Sequence, residues 1–159
     1  MACEHHSLNL DLHRAALSGN DEAVRSALRE GANINALDAA GRTAIMCAVA
    51  GEQYVSFHSF HINAIWELIS WKNVDAYDAS FLTPNRLNAI RTLLTHPDIS
   101  LLTLNTPQLS MNGVIPLGMA AWLNQPEVVR VLLEDGADAV SVDGMDSHGA
   151  TALMCEWSW

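Results

Sequence analysis

The chain has 159 residues, half of them apolar and 16% charged, enough to bury a core within one domain or one short repeat array. Eighteen acidic residues against eight basic ones give a formal charge of −10, with one lysine, Lys72, and seven scattered arginines. That balance argues against a charge-driven grip on nucleic acid and favours basic partners.

No stretch reaches the ~20 apolar residues that a membrane span needs. Met1 to Leu10 has neither the basic start nor the apolar run of a signal peptide. Cys3, Cys47 and Cys155 are too few and too far apart for a disulfide framework or a Cys-rich zinc module. An intracellular home, cytoplasm or nucleus, is expected.

In chain order, residues 1–10 read as a flexible N-terminus, and apolar periodicity begins at Leu12. Helices are expected near 12–18 and 21–30, joined by a Gly19-Asn20 turn, with Ala23-Val24 and Ala27-Leu28 as the apolar stripe of the second. Gly31-Ala32 ends that helix, since glycine takes the left-handed C′ conformation without Cβ strain. The next helix is expected near 44–50, and further ones near 87–95, 116–123 and 126–134. Pro116 suits the first turn of its helix, where no N–H is needed. Gly149-Ala150-Thr151-Ala152-Leu153 opens one more unit, which breaks off at Trp159.

These elements repeat. Leu12-His13-Arg14-Ala15-Ala16, Ile45-Met46-Cys47-Ala48-Val49 and Leu117-Gly118-Met119-Ala120-Ala121 each place a small residue three positions after a large aliphatic. The step from Leu12 to Ile45 is 33 residues, and from Leu117 to Leu153 it is 36. With Val128-Val129, Leu132-Leu133 and Gly136-Ala137, the pattern resembles the ankyrin repeat, G-x-T-P-L-H-x-A-A followed by V-V, L-L and G-A. The resemblance runs from Asp11 to Trp157. It implies an all-α solenoid of about three and a half repeats: 11–42, 43–111, 112–147 and a partial 148–159. Its structural positions include Leu12, Ala15, Ala16, Ile45, Pro116, Leu117, Leu132, Leu133 and Leu153, the turn glycines Gly31, Gly41, Gly113, Gly136 and Gly149, and the threonines Thr43 and Thr151.

The family's threonine–histidine latch is never complete. His13 lacks its threonine, Thr43 and Thr151 face Met46 and Met154, and the third repeat reads Ile115-Pro116-Leu117-Gly118. Packing or nothing is expected in its place, giving a soft array. The 72 residues from Ile45 to Leu117 hold either an insert or a degenerate repeat, with Ile65, Leu68 and Ile69 resembling an outer helix.

No phosphate loop, His-Glu-x-x-His or nucleophile elbow is present, so no catalytic residue, cofactor or small-molecule substrate is expected. His58 and His61 share a helix face near Cys47, but two imidazoles in a variable segment do not make a metal site. The acidic run from Asp135 to Asp146 lacks the order of a calcium loop and reads as turn chemistry.

The resemblance implies protein binding, on a concave face of inner-helix positions and hairpins. Those positions are Arg14, Leu17 and Ser18, then Cys47 and Ala50, then Met119, Trp122 and Leu123. The last three form an apolar patch at i, i+3, i+4 that either anchors a partner or lies under the aromatic segment with Tyr54, Phe57, Phe60, Trp66 and Trp71. The expected function is a non-enzymatic adaptor or scaffold. The alternative is a truncated fragment, inert alone or associating through its uncapped end.

Overall fold

The computed structural model describes residues 2–58, 83–107 and 113–156. Helix α1 spans Ala2–Ser18 and α2 spans Asp21–Arg29. The Asn20 side chain caps α2 by accepting from the Ala23 N–H at 3.1 Å, while Asp21 and Glu22 sit in its first turn and Arg29 in its last. Helix α3 spans Ala44–His58 but is broken at Gly51, whose φ of 65° and ψ of −176° leave the helical region and suit only glycine. Helix α4 is Pro84–Leu94, capped by Thr83, and α5 is the short Leu101–Asn105, capped by Ser100. Then come α6 (Pro116–Trp122), α7 (Pro126–Glu134) and α8 (Ala152–Glu156). No regular strand occurs among the described residues, only isolated bridges from Leu37 to Thr43 and from Met145 to Thr151.

The helices stack in two rows. Inner helices α1, α3, α6 and α8 pack in that order, and so do outer helices α2, α4 and α7. Each of the first three inner helices also packs against its own outer helix. Because α3 meets α6 directly and α4 lies between α2 and α7, no further repeat stands between these helices among the described residues. Ile65, Leu68 and Ile69 lie outside the described residues.

The repeat register explains the core. Leu12, Ile45 and Leu117 are 0%, 1% and 2% exposed, enclosed by the small residues that follow them. Their outer helices contribute Val24 and Ala27, then Ala89, Ile90, Leu93 and Leu94, then Val128, Val131 and Leu132, all buried. The fourth equivalent, Leu153, is 68% exposed, because no described outer helix follows α8.

Two expectations are corrected here, and one helix is new. The segment 1–10 is helical from Ala2 rather than a flexible lead-in, and the Asn9 side chain accepts from the Asn33 N–H at 2.7 Å. Helix α5 was not foreseen; its two buried residues, Thr103 and Leu104, are too short a signal for a period. The latch is not vacant either. His13 is buried, with Nδ1 2.6 Å from the Asn9 carbonyl and Nε2 3.1 and 3.0 Å from the Ala36 and Arg42 carbonyls. It clasps the hairpin that leads into the next repeat. Thr43, also buried, caps α3 by accepting from the Met46 N–H at 3.4 Å.

Candidate partner-binding surface

The inner helices carry the expected surface, and the structure sorts its residues. On α1, Arg14 and Ser18 are exposed and Leu17 is half-buried. On α6, Trp122 and Leu123 are half-buried at the C-terminal end. Met119 is corrected: at 1% exposure it belongs to the core, because α6 is flanked by α3 and α8 and its neighbours Gly118 and Ala120 hold nothing away. Cys47 and Ala50, at 0% and 3%, are interior for the same reason of close packing. The open strip is therefore interrupted at the second repeat. His61 and the side chain of His58 lie outside the described residues.

Buried polar side chains hold the inner-helix ends in place. Arg86, 4% exposed on α4, donates from one terminal nitrogen to the Ala48 carbonyl at 2.9 Å and from the other to the Leu17 carbonyl at 3.0 Å. A cation among helix C-terminal carbonyls is favoured by their partial negative charge. Gly19 makes the approach possible, since a Cβ there would lie 2.9 Å from the Arg86 Cβ. One repeat on, buried Gln125 donates to the Val49 carbonyl at 3.1 Å.

The loops between repeats are tied by two asparagines. Asn35 donates to the Asp98 carbonyl at 2.8 Å and accepts from the Ser100 N–H at 2.9 Å and the Thr103 hydroxyl at 2.7 Å. Asn105 donates to the Ala139 carbonyl and accepts from the Ser141 N–H, both at 2.7 Å. Sequence reasoning missed Arg86, Gln125, Asn35 and Asn105.

The first hairpin turns on Asp38. Its carboxylate accepts the Ala40 and Arg42 N–H groups at 2.9 and 2.8 Å and pairs with the Arg42 guanidinium at 2.7 Å. Burial alone would raise its pKa. The Arg42 backbone N–H, the Arg42 guanidinium and the nearby His13 outweigh burial and hold the carboxyl below its ordinary value. Asp146 repeats the turn by accepting the His148 and Ala150 N–H groups at 2.8 Å, so this acidic residue serves turn chemistry. Cys47, beside Asp38, is a buried thiol whose desolvation pushes its pKa up to about 12, far from a reactive thiolate. No group of three or more His, Cys, Asp or Glu fit to hold a metal occurs among the described residues.

Asp38 gives a pH prediction. Because its folded pKa is depressed, its contribution to stability is complete above the ordinary carboxylate range of ~4 and is lost as pH falls through the lower folded value. The gap in denaturation midpoint between wild type and Asp38→Asn should be widest near neutrality and close at strongly acidic pH. A gap independent of pH would mean that the carboxylate's charge contributes nothing.

Comparison with known families agrees with this geometry. A model described as ankyrin repeats (many copies) matches residues 12–60, and a model of the single ankyrin repeat matches 112–144. The two matches together cover just over half of the chain. This chain is an ankyrin-repeat protein. The matched segments carry α1 to α3 and α6 to α7, the parts in which inner and outer helices keep the family register. Ankyrin repeats are generally protein–protein interaction modules and typically non-enzymatic. No helix among the described residues is long and apolar enough to cross a membrane.

Proposed function

We propose that this ankyrin array is a non-catalytic adaptor or scaffold that holds a protein partner on its inner-helix and hairpin face. The observation that carries the reading is the placement of Arg14 and Ser18, exposed, with Leu17, half-buried, on the first inner helix, and of Trp122 and Leu123, half-buried, at the end of the third, in a stack held by Arg86 and Gln125. An indole held at the end of a packed helix suits an interface, because preorganised aromatic anchors lose little entropy on binding. Residues 11–159 form one domain in this reading, and its cysteine usage fits a reducing, intracellular setting.

Trp122→Ala tests it. Partners recovered by affinity capture and identified by mass spectrometry should lose ≥ ~2 kcal/mol of binding to this variant, with the unfolding midpoint little changed. A stability loss of ~3–5 kcal/mol would instead make Trp122 a core aromatic and retire it as an anchor.

A second reading rests on α8. Leu153 and Met154 are 68% and 57% exposed, although their equivalents in the earlier repeats are buried. An array that continues, or a second chain, would cover them as α3 covers α1.

A further inference from the structure

We infer that the hairpin edge of this face, formed by the loops between repeats, is shaped for an apolar, basic peptide segment of a partner protein. This rests on the reading of the chain as a protein-binding module, and it adds the partner chemistry which that reading lacks.

Five large apolar side chains stand out along these loops: Leu37 at 53% exposure, Leu101 at 59%, Leu102 at 71%, Val142 at 63% and Met145 at 54%. A single exposed aliphatic needs no explanation, but a series on neighbouring loops does. The asparagine bonds set the loops side by side. Asn35, two residues before Leu37, binds Ser100 and Thr103, which bracket Leu101 and Leu102. Asn105 binds Ser141, next to Val142. Leu37 and Met145 occupy the same place in their hairpins, each bridged to the threonine that opens the next inner helix. Helix α5 turns Thr103 and Leu104 inward, at 6% and 1%, and leaves its two first leucines outside. The edge is thus held rigid by bonds that use none of its exposed apolar side chains.

Charge decides the occupant. Among the described residues, Asp98, Asp138 and Asp143 are exposed on these loops. The one Lys or Arg there, Arg42, is 12% exposed and paired with Asp38. Anionic lipid would be repelled, and so would the same acidic edge on a second copy. A segment with aliphatic or aromatic anchors and flanking Lys or Arg satisfies both the apolar row and its acidic rim.

The test pans the full chain against a phage library of random-sequence peptides. Enriched peptides should combine Leu, Ile or Phe with Lys or Arg, and their binding should weaken as salt rises. Leu101→Ser with Leu102→Ser should cost at least on the order of tenfold in affinity. These leucines are exposed, so an unchanged helical circular dichroism spectrum serves as the folding control, and Arg130→Ala, on an outer helix, should bind as wild type. Failure to enrich any peptide, enrichment of acidic or uncharged ones, or affinity indifferent to the double variant would overturn the proposal. Peptides lost by Trp122→Ala but kept by the double variant would overturn it while leaving the inner-helix reading intact. A dimer that dissociates in the double variant would also overturn it, making a second copy the occupant.

Discussion

Replacing Leu132 by alanine is expected to destabilise the protein by ~2–5 kcal/mol, whereas Arg130→Ala, two residues earlier on α7, should cost well under ~1 kcal/mol. Leu132 is 0% exposed and belongs to the continuous core, while Arg130 is exposed on the far side of the helix. Truncating the leucine removes apolar contact and leaves a void that helices pinned on both sides cannot collapse to fill. The outer row has α4 against α7, so the loss is felt in two repeats at once. Chemical denaturation of both variants checks this, and equal losses would show that the buried face of α7 is misassigned.

Arg86→Ala should be comparably severe, at ~3–5 kcal/mol, because hydrogen bonds to a charged donor are worth ~1.5–3 kcal/mol each and two are lost. The Leu17 and Ala48 carbonyls then lose this donor, and the aliphatic stem beside Gly19 leaves a cavity. Arg86→Lys keeps the charge but has no planar fork to reach both carbonyls, so it should recover less than half of the loss. Denaturation midpoints of the two variants decide it. Full rescue by lysine would mean that charge alone matters and the two-carbonyl geometry does not.

Much of this architecture was legible in the sequence. The steps of 33 and 36 residues, with a large aliphatic followed by a small residue, specified the inner helices, because tight helix approach demands that pairing. Turn glycines and outer-helix stripes specified the rest of each unit. What stayed hidden was long-range. The burial of Met119 depends on how closely α3 and α8 approach, and a pattern confined to one helix carries no such information. The clasp of His13 on the Ala36 and Arg42 carbonyls was read as a missing latch, because its acceptors are backbone atoms, which any residue supplies. The adjacency of α3 to α6 is likewise a fact of stacking with no local signature. For the candidate surface, Arg14 and Trp122 could be named from register, whereas the asparagines that bind the loops together could not.

The sequence distance between the two helices of the second repeat also bears on the order in which the fold assembles. In the first repeat, α1 and α2 are joined by Gly19 and Asn20 alone, and in the third, α6 and α7 by residues 123–125. Such hairpins find their partners within a few residues and form early. In the second repeat, the inner helix starts at Ala44 and is broken at Gly51, and the outer one starts only at Pro84, so their pairing is a non-local event. The bonds that seal it are longer still: Arg86 reaches Leu17 across 69 residues, and Gln125 reaches Val49 across 76. A solenoid can nucleate at any repeat and propagate to its neighbours. Here the two flanking hairpins are the nuclei of low contact order, and the middle repeat, with its buried arginine, closes last and joins them into one cooperative unit.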